Sequence, residues 1–299
     1  MRLARVTGRD MEEKVVIQSG NLKLAGFVHT PDDLKKGERR PALVINHGFG
    51  GHKDGPQQIW TANKLASMGY ITLRYDFRGC GESEGKRGWV IPQEEVDDAL
   101  AAVTYMQGRA EVNPDRVGMT GTSFGGAVAI YAAGIDKRIA CVISQGGWAD
   151  GMSIAQERFP TPEKWQAYIN RVDAARRKKI ETGEDQYLHR YDVVPVPERL
   201  RASIDERSIF QFPVETELTK FYFRPIDVIG NISPRPILLL HAAGDSVTSS
   251  KGSLEMFSRS KPPTELHLMT DVDHFMFGED DDRVDNLVGG WLKKYFPVN

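Results

Sequence analysis

The segment Gly121-Thr122-Ser123-Phe124-Gly125 has the clearest chemical content in this 299-residue chain. A serine with glycine two positions to either side is the pattern of a side chain raised on a tight strand-to-helix turn. The strained backbone there leaves no room for bulk at the flanking positions. Residues 116–120 read as a strand, and a helix rich in Gly and Ala starts at Phe124, so the pattern has that context and is not a plain glycine-rich turn. The start of the helix points N–H groups, and the positive end of its dipole, at any negative charge developing beside the serine. The chemistry this suits is attack on a carbonyl. A serine hydroxyl is a poor nucleophile at neutral pH, so a base and an orienting acid are required elsewhere.

A nucleophile of this type takes its partners from later in the chain, acid before base, on loops that follow late strands. His274 lies in Asp271-Val272-Asp273-His274-Phe275, after a strand ending at Met269. Asp245 lies in His241-Ala242-Ala243-Gly244-Asp245, after another. His29, His47 and His52 precede the serine, and His189 falls in a different kind of region. His241 and His267 sit within or at the ends of strands, where a histidine is usually packed or hydrogen-bonded. Asp273 adjoins His274 and cannot readily face the far side of its ring, which leaves Asp271 as the rival to Asp245. The expected set is Ser123, His274 and Asp245.

Acyl transfer also needs two N–H donors where the oxyanion forms. His47-Gly48-Phe49-Gly50-Gly51 directly follows the first central strand, and we assign the donors to the amides of Phe49 and Phe124. A phosphate loop is excluded, because neither G-x-x-x-x-G-K-[ST] nor a helix-opening G-x-G-x-x-G is present. The glycines of residues 79–85 have the wrong spacing for a dinucleotide and read as turns.

The elements that must position these residues follow two rhythms. Residues 14–18 and 22–29 form antiparallel strands around a turn at 19–21. Strands at 42–46, 70–75, 116–120, 139–144, 236–241 and 265–269 then alternate with helices at 57–68, 92–107, from 124, 253–259 and 283–295. That order predicts a mostly parallel sheet with helices on both faces. Between 150 and 232 the alternation stops and the chain becomes helical, charged and aromatic. We expect residues 1–149 and 233–299 to form one α/β core, with 150–232 inserted as a helical cap. Trp148 opens this excursion at the carboxyl end of a strand, where ligands bind in open α/β sheets, and is a candidate for the substrate pocket. Phe210, Phe212 and the aromatics at 221–223 more readily pack the cap onto its core than line a pocket. The basic run at 176–179 reads as a solvated helix face.

Composition narrows the partners. With 39 basic and 41 acidic residues the net charge is −2, which gives no electrostatic reason to expect nucleic acid or a membrane surface. A small molecule is the expected partner, and a homo-oligomer is left open. Cys80 and Cys141 make neither a disulfide framework nor a metal knuckle, and Cys141 reads as a small buried hydrophobe. The basic stretch at 1–10 has no apolar run behind it, so it does not read as a signal peptide and a cytoplasmic location is expected.

Taken together, these residues resemble the α/β-hydrolase superfamily over nearly the whole chain. Residues 76–83, Asp-Phe-Arg-Gly-Cys-Gly-Glu-Ser, are similar to its D-x-R-G-x-G-x-S turn. Within it the chain resembles the dienelactone-hydrolase-like and acyl esterase group, including feruloyl-type esterases. Residues 145–151, Gln-Gly-Gly-Trp-Ala-Asp-Gly, are similar to the thioester hydrolases and acyltransferases that serve polyketide synthesis. The resemblance implies cleavage of a carboxylic ester, or of a thioester, without a cofactor. The nucleophile is serine, not the cysteine of true dienelactone hydrolases, which sets that substrate aside. Beside a carboxylesterase for small or aromatic acyl compounds stand a thioesterase or acyltransferase, and a non-catalytic ligand-binding homologue. A serine peptidase fits less well, since the chain has no room for a propeller domain and shows no paired glutamates for a peptide amino terminus.

Overall fold

A computed structural model describes residues 12–276 and 282–299; the basic stretch at 1–10 lies outside the described residues. β1 (Glu12–Ser19) and β2 (Leu22–His29) form an antiparallel hairpin. Then β3 (Arg40–Asn46), α1 (Pro56–Ser67), β4 (Ile71–Tyr75), α2 (Pro92–Gln107), β5 (Val112–Thr122), α3 (Phe124–Ile135) and β6 (Ile139–Gln145) alternate. The chain next runs through α4 (Gly151–Arg158), α5 (Pro162–Thr182), β7 (Tyr187–His189), α6 (Arg190–Val193), β8 (Gln211–Pro213) and α7 (Val214–Lys220). It returns as β9 (Ile237–Ala242), α8 (Lys251–Arg259), β10 (Thr264–Met269) and α9 (Asp282–Tyr295).

Eight of these strands make one sheet in the order β1-β2-β4-β3-β5-β6-β9-β10. Every pairing from β4 to β10 is parallel, and only β1–β2 and β2–β4 are antiparallel. The inner strands carry apolar residues at nearly every position because both faces are covered. Leu43, Ile45, Cys141, Leu238 and Leu240 face a core closed by α1 and α9, to which Leu65, Val288 and Trp291 contribute. Val44, Met119, Val142 and Leu239 face the opposite way, toward Val96 and Val103 of α2 and the alanines of α3. Cys80 and Cys141 are both free and buried.

Two details differ from the sequence expectation. β5 begins at Val112, ahead of the expected start at residue 116, because Arg40 pairs with Val112 before the register shifts. The stretch 150–232 stands outside the main sheet, yet it contains strands as well as helices: β7 and β8 pair over three residues each. So short a pair leaves no periodic signature in the sequence; it is held by the buried side chains of Leu188 and Phe212. Arg176, Arg177 and Lys178 are exposed on α5, while Lys179 is half-buried and pairs with Asp185 and Glu215. Among the described residues no helix is long and apolar enough to cross a membrane.

Parallel pairing brings the carboxyl ends of β3, β5, β6, β9 and β10 to one edge of the sheet. The loops that leave those ends carry His47–Gly51, Ser123, Trp148, Asp245 and His274. Leu239, fully buried in β9, supports this edge from below. Leu239→Ala should lower the unfolding free energy by about 2–5 kcal/mol in urea titration; a loss under about 1 kcal/mol would mean that the sheet can collapse around the vacated volume.

Candidate active site

Ser123 joins β5 to α3 with φ 54° and ψ −121°, a conformation that side chains other than glycine rarely adopt. Its amide donates to the Gln145 carbonyl at 2.7 Å, and its carbonyl accepts from the amides of Gly126 and Ala127. The flanking glycines are set by contact. A Cβ on Gly121 would lie 2.3 Å from the Gly125 carbonyl oxygen, and one on Gly125 would lie 2.5 Å from the carbonyl oxygens of both Asn46 and His47. The turn and the end of β3 therefore meet backbone to backbone.

The carboxylate against the His274 ring is that of Asp245, with Oδ2 2.8 Å from Nδ1. Its other oxygen accepts the amides of Val247 at 2.8 Å and Thr248 at 2.7 Å. Burial pushes this carboxyl up, but attraction to the His274 ring, hydrogen bonds from His241 and His274, and the Thr248 amide outweigh it. The net effect holds Asp245 well below the usual carboxylate range. Asp273 turns elsewhere, accepting from the amides of Ser246 and His274 and pairing with Arg199. Asp271, the rival, is exposed with φ 64°. His241 is packed inside β9 as expected, bonded to Ser253 and the Thr248 carbonyl. It also lies 3.4 Å from Asp245 Oδ2, so the acid has two histidine neighbours.

The 47–51 loop is held by two cationic or imidazole side chains. His47 Nε2 accepts the Phe77 amide at 3.1 Å, which places the proton on Nδ1, 2.8 Å from the Gly48 carbonyl oxygen. That same carbonyl accepts the Gly51 amide at 2.9 Å. Because the peptide is trans, fixing the Gly48 carbonyl on one side fixes the Phe49 N–H on the other. Arg190 then takes the next two carbonyls, with Nη2 2.8 Å from that of Phe49 and 2.9 Å from that of Gly50, while its Nε donates to Ile209. Burial lowers the Arg190 guanidinium to about 10. The Phe49 ring stacks on Phe212 at 4.3 Å and meets the edge of Phe124 at 5.7 Å.

Ser123, His274, Phe49, Phe124 and Trp148 line one cavity of about 260 Å³. Trp148 is nearly fully buried, stacked against Phe124 at 5.8 Å. The aromatics of 210–223 do not line it. Phe212 backs Phe49, Phe223 packs on Phe124, Trp148 and Tyr131, and Tyr222 is exposed. The apolar wall comes instead from Val194, Val196, Leu200 and Ile204. Arg158, Arg190 and Lys220 also line the cavity, and sequence reasoning missed all three. Glu217 and Lys220, three apart on α7, carry the signature of an ordinary surface pair; their burial is set by tertiary packing alone. Among the described residues no three His, Cys, Asp or Glu side chains gather as a metal site would need.

A mostly parallel sheet flanked by helices, with a serine on the turn after β5, is the fold of the α/β hydrolases. The crystal structure of the α/β hydrolase GrgF from Penicillium sp. sh18 superposes with TM-score 0.78 at 24% identity, covering 95% of this chain and 98% of that one. That of Est1E from Butyrivibrio proteoclasticus, with ferulic acid bound, does so with TM-score 0.72 at 19% identity, covering 94% and 98%. More particularly, the chain belongs to the X-Pro dipeptidyl-peptidase (S15) family, whose model matches residues 20–275. In sequence it is similar to the thiohydrolase aneE of Aspergillus aculeatus, 27% identical over 287 residues, which is 89% of this chain and 88% of that one.

The buried histidines make a testable statement about acid stability. Burial, opposed by Asp76, pushes His47 down to about 4, and burial with the Arg74 charge does the same to His29. Unfolded histidines take up protons from about pH 6.5. Between there and about pH 4 the unfolded chain binds more protons, so stability present above pH 6.5 is lost as pH falls. His47→Gln should remove close to one proton from this dependence, about 1.4 kcal/mol per pH unit at its steepest. Urea midpoints from pH 4.5 to 7 measure it; an unchanged slope would mean that His47 is not held neutral.

Proposed function

We propose that this protein is a serine hydrolase that cleaves a carboxylic ester of a small or aromatic acyl compound through an acyl-enzyme. The observation that carries the reading is the Asp245–His274 pair, 2.8 Å apart, beside a cavity that His274 shares with Ser123 on its strained turn. In the proposed mechanism His274 takes the proton from Ser123 as the hydroxyl attacks the carbonyl. Asp245, ionised under all ordinary conditions, holds the Nδ1–H tautomer and stabilises the imidazolium. The amides of Phe49 and Phe124 receive the oxyanion. His274 returns its proton to the leaving alcohol, then activates the water that frees the acid. The stretch 150–232 acts as a cap in this reading, since it supplies the aliphatic wall of the cavity.

A second reading, a thioesterase or acyltransferase, draws on the likeness to a thiohydrolase and needs no other site: the same acyl-enzyme forms from a thioester, or passes its acyl group to an acceptor other than water. Peptidase activity, named in the family description, has less support here. A dipeptidyl substrate presents an α-ammonium group, and the cavity already holds Arg158, Arg190 and Lys220.

Ser123→Ala should reduce turnover of p-nitrophenyl esters on the order of 10⁴-fold or more and abolish fluorophosphonate labelling, with unfolding midpoints unchanged. Asp245→Asn should cost about 10⁴-fold in kcat, because the amide cannot hold the imidazole tautomer. A chain-length series of p-nitrophenyl esters beside the matching acyl-coenzyme A thioesters separates the first two readings. Residual activity near that of the native protein in Ser123→Ala would defeat both.

A further inference from the structure

The cavity beside Ser123 has an unbalanced charge. Lys220 is 2% exposed and its Nζ pairs with Glu217 Oε1; Glu217 is fully buried and its Oε2 accepts the Tyr168 hydroxyl. Both carboxylate oxygens are thereby engaged. Arg158, the last residue of α4, lines the same cavity. Among the described residues its side chain makes neither an ion pair nor a hydrogen bond, and its Nε is fully shielded with no partner. Burial depresses its guanidinium, with Glu217, Tyr168, Asp245 and Glu157 supporting the charge from nearby. Lys220, pushed down to about 8 by burial, feels the positive charge of Arg158 in turn. Lys220 is thus in contact with a carboxylate that is already bonded twice, while Arg158 has carboxylates nearby and none in contact. Arg190 is more committed, since its Nε and Nη2 donate to the carbonyls of Ile209, Phe49 and Gly50 and hold the 47–51 loop.

Buried cations are ordinarily paired, since an unpaired one forfeits its hydration without recompense. A guanidinium left open toward a substrate cavity is the donor set that carboxylates match best, often through two parallel N–H···O bonds. We propose that the substrate carries an anionic oxygen group, a carboxylate, and that Arg158, assisted by Lys220, recognises it. This rests on the reading that acyl transfer occurs at Ser123. The aliphatic wall of Val194, Val196, Leu200 and Ile204 then accommodates the chain between the reacting carbonyl and the charge. The carboxylate belongs to either the acyl or the alcohol portion of the ester.

Calorimetric binding to Ser123→Ala tests the charge without turnover. α,ω-Dicarboxylates from succinate to suberate are compared with their half-amides, and 4-hydroxybenzoate with 4-hydroxybenzamide. At least one carboxylate should bind about 10- to 100-fold more tightly than its amide. Adding Arg158→Gln should bring the two within a few-fold, and Arg158→Lys should restore part of the difference. Equal binding of every pair overturns the proposal, whatever the activity of Ser123.

Turnover by the unmodified protein locates the anion. Preference for p-nitrophenyl hemiesters over their half-amides assigns it to the acyl side; preference for 4-acetoxybenzoate over its methyl ester assigns it to the alcohol. Fluorophosphonate labelling without either preference removes the carboxylate and leaves the acyl-enzyme. No labelling and no turnover defeats the acyl-enzyme, and the calorimetry still decides the charge.

Discussion

The site depends on one backbone contact. Gly125 at the start of α3 lies against the carbonyls of Asn46 and His47 with no room for a methyl group. The contact follows from parallel neighbours: β3 and β5 run side by side in register, with Asn46 opposite Gly121, so their carboxyl ends reach the same level. One end turns into the serine and the other into the 47–51 loop. Neither half can be adjusted alone, since a shift of either would drive backbone into backbone. The remaining polar groups build on that contact. His47 fixes the plane of the Gly48 peptide, Arg190 fixes the next two carbonyls, and Thr248 ties the Asp245 loop to the Gly146 carbonyl.

Much of this was legible in the sequence because it is periodic or local. Strands buried on both faces are short apolar runs, and helices between them keep their own period, so the sheet and its order of elements are legible in the sequence alone. The turn at Ser123 was legible for a different reason: its strain forces glycine at fixed offsets. The pairing of Asp245 with His274 is legible in chain order and in the placing of other histidines before the serine or within regular elements. The 3.4 Å approach of His241 to Asp245 has no such signal, because a strand histidine can be both packed and adjacent to a carboxylate.

What escaped sequence reasoning sits in 150–232. There the contacts that matter join residues distant along the chain: Arg190 reaches carbonyls at Phe49 and Gly50, Tyr168 reaches Glu217, and Arg199 reaches Asp273. No spacing rule announces these. The aromatics drew attention by their size, yet they serve as packing behind Phe49, Phe124 and Trp148, while plain valines, a leucine and an isoleucine face the cavity.

The three cations around the cavity differ in what satisfies them, and that difference sorts their roles. Arg190 is surrounded by carbonyl oxygens and neutralised by none; it is structural, and its charge also biases the loop beside Ser123 toward anions. Lys220 is paired, at the expense of desolvating Glu217, which Tyr168 then helps to satisfy. Arg158 lines the cavity with no hydrogen bond or ion pair on its side chain among the described residues. Such charges interact strongly where water is excluded, so their sum matters more than any one pair. A positive enclosure lowers the energy of the oxyanion as it forms and repels an ammonium group from the same space. In the proposed reading, the selection of substrates by charge and the stabilisation of the transition state are therefore two effects of one field.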